Sequence, residues 1–126
     1  LDFFTPNETE TEFYLNKKIK SNQDIKDAGN EFLDKGVKNI IITLGSKGVY
    51  FANSSESYFI EALKLKSDVV DTTGAGDAFN GALSVALLKD YSYKDALVFA
   101  NKVGGISTTK LGAANAMPTI EEVENY

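Results

Sequence analysis

The sequence predicts an α/β domain with three layers, and three observations carry that reading. Short β-branched runs alternate with amphipathic ones over the first half, the last third is helical throughout, and a glycine-rich bend joins the two. In such a domain helices cover a sheet, and ligands bind at the carboxyl ends of its strands.

Taken in order, Leu1 to Phe4 is apolar and reads as a strand, closed by Thr5-Pro6-Asn7. Glu8 to Lys18 reads as a helix with Phe13 and Tyr14 on its apolar side. Ser21 or Asn22 caps a second helix through Asp34; it carries Ile25, Ala28, Phe32 and Leu33 inward, and Gly36 ends it. Asn39 to Thr43 is β-branched and predicts a buried strand. Gly45-Ser46-Lys47-Gly48 is a turn, and Val49 to Ala52 returns beside that strand. Tyr58 to Glu61 adds a short strand, and Ser67 to Val70 leads into the glycine bend. Ala75 to Lys89 is one helix. Ser92 caps the next, with Asp95 at the capping-box position, and it runs to about Thr109. Lys110 to Ala113 is a loop, and Thr119 caps a final helix with Glu122 three residues on.

Composition removes whole classes of chemistry. A chain of 126 residues buries about two-thirds of its unfolded surface, so one domain is the default. No apolar run is long enough to span a membrane. Zero histidines exclude a Ser-His-Asp or Cys-His engine, and zero cysteines exclude thiolate metal sites while permitting a cytoplasmic address. Proton transfer must then fall to Asp, Glu, Lys or Tyr. A net charge of −5 with scattered lysines argues against nucleic-acid binding. The chain opens inside a strand pattern without a methionine and stops inside a helical one, which reads as a fragment of a longer protein.

The bend runs Asp71-Thr72-Thr73-Gly74-Ala75-Gly76-Asp77-Ala78-Phe79-Asn80-Gly81. The first turn of a helix has unpartnered N–H groups and a partial positive charge, and glycines let a ligand approach them. Gly74, Ala75 and Gly76 could therefore cradle a phosphate. Asp77 would repel that phosphate unless it serves as the base for a hydroxyl attacking it. That arrangement reads as phosphoryl transfer, and a solvated turn with a capping aspartate is the local alternative. Neither a Walker loop nor a dinucleotide fingerprint fits.

The pattern Asp-Thr-x-Gly-Ala-Gly-Asp-x-Phe resembles the second signature of the ribokinase-like sugar kinases, the phosphofructokinase B family, without a departure. The resemblance extends from Thr5-Pro6-Asn7 to Pro118–Val123 and implies the C-terminal, ATP-binding portion of a larger doubly wound sheet. It implies ATP-dependent phosphorylation of the primary hydroxyl of ribose, with Asp77 as base and Gly74, Ala75 and Gly76 as the anion cradle. Asn7-Glu8-Thr9-Glu10, locally a helix start, is similar to the family's Asn-x-x-Glu motif. There Asn7 and Glu10 organise phosphates and Mg²⁺, Glu10 through water. Thr43-Leu44-Gly45-Ser46-Lys47-Gly48, locally a plain hairpin, resembles the family's nucleotide-side hairpin. That places Thr43, Gly45, Ser46, Lys47, Gly48 and Gly76 with ATP, and Asn101 beside adenine. A K⁺ site is implied at Asp71, Thr73, Ser107, Lys110 and Gly112. Ala114 and Ala116 stand where many members carry Gln and Ser, which weakens that site. The resemblance also implies a homodimer, formed through a lid this chain does not contain, and little activity from the fragment alone. Two other functions stay open: another sugar kinase of the family (fructokinase or ketodeoxygluconate kinase), and a non-catalytic nucleotide-binding module.

Overall fold

The computed structural model describes residues 2–62, 75–107 and 123. They belong to two compact units, Leu1–Glu61 and Ala62–Tyr126. The first holds a four-stranded mixed sheet in the order β1 (Phe3–Phe4), β2 (Asn39–Thr43), β3 (Val49–Asn53), β4 (Ser57–Ile60). Strands β1 and β2 are parallel, and β2, β3 and β4 form an antiparallel meander. The parallel pair is joined through helices α1 (Glu8–Leu15) and α2 (Asn22–Asp34).

Strand β2 forms where expected because Ile40, Ile41 and Ile42 suit a pleated surface and are all fully buried. Ile40 and Ile42 share a core with Tyr50 and Ala52 of β3 and with Ile25, Ala28 and Phe32 of α2. Ile41 pairs with Phe51 on the opposite face, where both are also buried. Strand β4 alternates exposed and half-buried residues, as a sheet edge does, and starts one residue earlier than the apolar pattern suggests.

Helix α2 is capped by Ser21, whose Oγ accepts from the Asp24 N–H at 3.2 Å; Asn22 is its first helical residue. Its end is a Schellman motif: Gly36, at φ 102°, donates to the Leu33 carbonyl, and Val37 donates to that of Phe32. Helix α1 departs from expectation. It stops at Leu15, because Asn16 turns left-handed at φ 52°, and its buried side is Thr11 and Leu15. Phe13 and Tyr14, expected inward, are 83% and 60% exposed. Three consecutive apolar residues lie about 100° apart around a helix, so they cannot all face one way. Leu15 shares a face with Thr11 four residues back and takes the buried place.

In the second unit, α3 (Ala75–Leu88) packs along α4 (Tyr93–Ser107). Alanines make this contact close: Ala78, Ala82 and Ala86 on α3 and Ala96 and Ala100 on α4 are all buried. Helix α3 also ends in a Schellman motif, with Asp90 at φ 62° donating to Leu87 and Tyr91 donating to Ala86. Ser92 caps α4 through the Asp95 N–H at 3.1 Å. Val123 is helical and buried. The strand expected at 67–70, the loop at 110–113 and the cap at Thr119 lie outside the described residues.

Candidate active site

In the first unit, two of the motifs meet at the carboxyl ends of the parallel strands. The chain leaves β1 through Pro6, whose carbonyl accepts from the Thr43 N–H at 2.9 Å, and Asn7 forms a parallel bridge with Thr43. The start of the Asn-x-x-Glu motif and the start of the glycine hairpin are therefore neighbours. Sequence spacing alone, which sets Asn7 and Thr43 36 positions apart, does not reveal this.

Asn7 and Glu10 form a reciprocal capping box. Asn7 Oδ1 accepts from the Glu10 N–H at 2.7 Å, and Glu10 Oε1 accepts from the Asn7 N–H at 2.9 Å. The helix-start reading is thus correct locally, and it fixes one carboxylate oxygen of Glu10 while the residue stays exposed. Thr11, which sequence reasoning passed over, completes the arrangement: its buried Oγ1 donates to the Asn7 carbonyl at 2.7 Å. The available signal was a threonine four residues after a capping asparagine.

The hairpin is a 3-10 turn over Gly45–Lys47 rather than a two-residue β-turn. Gly45 at φ 58° and Gly48 at φ 103° both adopt backbone that disfavours a side chain. The Leu44 N–H donates to the Gly48 carbonyl at 2.8 Å, which closes the loop and leaves Gly45, Ser46 and Lys47 exposed at its tip. Thr43 is half-buried at its base.

In the second unit, α3 begins at Ala75, so Gly76 and Asp77 occupy its first turn and both are exposed. Their N–H groups belong to the set that no intrahelical carbonyl can satisfy. Among the described residues a Cβ built on Gly76 meets nothing within 4 Å, so none of them demands glycine there. Asn101 is half-buried on α4. Ser107 is fully buried, and its hydroxyl is committed to the Gly104 carbonyl at 2.7 Å. Gly74, Asp71, Thr73, Lys110 and Gly112 lie outside the described residues.

Among the described residues no three His, Cys, Asp or Glu side chains gather into a metal cluster. Glu10 can serve a cation in one way: exposed, with only Oε1 tied to the backbone, it suits hydrogen bonding to the waters of a hydrated ion. Among the described residues no helix is long and apolar enough to cross a membrane.

Known proteins resemble the chain along its whole length. It is 42% identical over 124 residues to the ribokinase of Staphylococcus aureus, covering 98% of this chain and 40% of that protein. Among solved structures, the Thermotoga maritima ribokinase matches at a TM-score of 0.87 and 40% identity, over 99% of this chain and 41% of that one. The Arabidopsis thaliana ribokinase, complexed with ribose and ATP, matches at a TM-score of 0.93 and 31% identity, over 99% of this chain and 40% of that one. The chain thus spans about 40% of the length of the relatives it matches. The expectation that it is their C-terminal part is not borne out by these matches, which fix only the share covered. The ribokinase-like α/β fold class is borne out by both structures. The model of the pfkB family of carbohydrate kinases matches residues 1–120, and the chain belongs to that family.

Proposed function

We propose that this chain is the nucleotide-binding and catalytic segment of an ATP-dependent ribose kinase. The observation that carries the reading is the first turn of α3, where an exposed carboxylate, Asp77, follows a glycine whose missing side chain would meet none of the described residues within 4 Å. Family membership and the likeness to a ribokinase holding ribose and ATP support the substrates.

In this reading the Asp77 carboxylate takes the proton from the primary hydroxyl of ribose as that oxygen attacks the γ-phosphorus of ATP. The bond from that phosphorus to the β–γ bridging oxygen breaks, and ADP leaves with the electron pair. The N–H groups of Gly74, Ala75 and Gly76 hold the charge spread over the transferring group. Gly45, Ser46, Gly48 and Thr43 line the nucleotide side, Lys47 reaches toward phosphate, and Asn101 meets the base. Magnesium, when bound, neutralises phosphate charge, and Glu10 with Asn7 would hold its waters. A K⁺ ion would use carbonyls near Asp71, Thr73, Ser107, Lys110 and Gly112. A cytoplasmic homodimer is the state in which we expect the whole enzyme to act.

The test is Asp77→Asn in the whole enzyme, assayed for ribose-dependent ADP release with ATP affinity measured by calorimetry. We expect turnover to fall by roughly a thousandfold or more while ATP binding is retained. Turnover near that of the parent would remove Asp77 as the base.

A further inference from the structure

Gly104 is buried in the last described turn of α4, in the run Val103-Gly104-Gly105-Ile106. Glycine weakens a helix interior, so its presence there calls for a packing reason. A Cβ built on Gly104 lies 3.4 Å from the Ala75 carbonyl oxygen, 3.4 Å from Phe79 Cβ and 3.9 Å from Phe79 Cα. The backbone of α4 therefore rests directly on the first turn of α3. Gly76 and Asp77 lie in that turn, among the three residues between the two that Gly104 touches. The seat is fixed from below as well, because buried Ser107 donates to the Gly104 carbonyl at 2.7 Å.

The first turn of α3 thus meets two unlike glycines. Among the described residues nothing lies within 4 Å of a Cβ on Gly76, which belongs to that turn, whereas Gly104, on α4, is backed by Ala75 and Phe79. We infer that Gly104 is a positioning residue: by lacking a side chain it sets the seat of the α3 first turn, and so the placement of Asp77 and the turn's N–H groups. The inference rests on the function proposed above. Hydroxyl and phosphorus must be aligned closely, and a displacement of about 1 Å in such a site can cost a hundredfold in rate. A methyl group at Gly104 would stand at the near limit of ordinary contact with Ala75 and Phe79, whereas the larger isopropyl group of valine would press on the turn.

The experiment compares Gly104→Ala, Gly104→Val and a control, Ala86→Val, in the whole enzyme. Ala86 is also buried in the α3–α4 contact but stands near the far end of α3. We expect kcat to fall only about twofold in Gly104→Ala and about tenfold or more in Gly104→Val, with KM for ATP nearly constant. Ala86→Val should lower the melting temperature comparably and leave kcat per folded molecule unchanged. Equal kcat losses in Gly104→Val and Ala86→Val, or none in Gly104→Val, would overturn the inference. Should Gly104→Val fail to fold, the graded pair Gly104→Ala and Gly104→Ser decides, since a loss of kcat without loss of ATP affinity is still required. Asp77→Asn assayed alongside separates the two readings: an active Asp77→Asn overturns the base assignment. An inactive Asp77→Asn beside an unaffected Gly104→Val overturns the positioning alone.

Discussion

Glu10 shows how one side chain can serve structure and chemistry at once. Its Oε1 closes the capping box with Asn7, a task that an amide oxygen performs nearly as well. Glu10→Gln is therefore expected to change the melting temperature little while raising the Mg²⁺ concentration needed for half-maximal rate. Asn7→Ala removes the cap acceptor and should cost about 1 kcal/mol in stability as well. Equal melting-temperature losses in the two variants would show that the charge, and not the cap, holds the helix start. Gly48 is a backbone requirement of a different kind. At φ 103° and ψ −137° it lies where only glycine is at ease, so Gly48→Ala should cost about 1–3 kcal/mol by denaturant unfolding. Both glycines of this turn were legible in the sequence, because spacing within a hairpin limits what the backbone can do. The exposure of Phe13 was not, since a short run of apolar residues leaves open which one turns inward. Tyr14 has a partner all the same: its ring meets Phe4 edge-on at 5.2 Å, and Phe4 in turn meets Phe32 at 5.3 Å.

At the scale of elements, α2 approaches β3 closely at Gly29. A Cβ on Gly29 would lie 2.8 Å from Tyr50 Cε2, and the Tyr50 ring is buried and packed against Phe59 at 4.7 Å. Alanine at this helix position would gain about 1 kcal/mol in propensity. Overpacking should cost about 1–3 kcal/mol, so Gly29→Ala is expected to be destabilising on balance. A melting temperature above the parent's would show that the ring has room to retreat. The loop from α1 to α2 is held differently, by Lys17 Nζ and Glu31 Oε2 at 2.8 Å. That hydrogen bond, followed by the Glu31 charge, raises the Lys17 pKa above its ordinary value. A raised lysine pKa stabilises the fold at pH below the unfolded value and loses that contribution as pH climbs through the folded one. With Lys17 exposed, the effect should be small and vanish in high salt. Helix and strand identities were legible here because Ile25, Ala28 and Phe32 repeat at helical spacing and Ile40 to Ile42 are β-branched. Gly29 was not recognised as a contact point, because only the distant ring of Tyr50 explains it.

For the whole molecule, the family was legible because the Asp71 to Phe79 signature is contiguous. The meeting of Asn7 with Thr43 was not, since it depends on the parallel pairing of β1 and β2. Residues 1–126 alone are expected to show no sugar phosphorylation above background, because they span about 40% of the length of the kinases they match. Activity from this segment, measured by coupled ADP release, would mean that it holds a complete sugar pocket. What keeps the pairing in step is a line of amides. Buried Asn39 donates through Nδ2 to the Asp2 carbonyl at 3.0 Å and accepts from Asn53 Nδ2 at 3.1 Å, while Asn53 Oδ1 receives the N–H groups of Ser55 and Glu56. Slipping β2 by one residue would break both of Asn39's links in that line and turn the isoleucines over. Three strands are in effect keyed together at the end opposite Thr43 and the Gly45–Lys47 turn. Sequence drift at Asn39 would therefore show up first as misaligned motifs some 15 Å away, about five residues of strand, before any motif residue had changed.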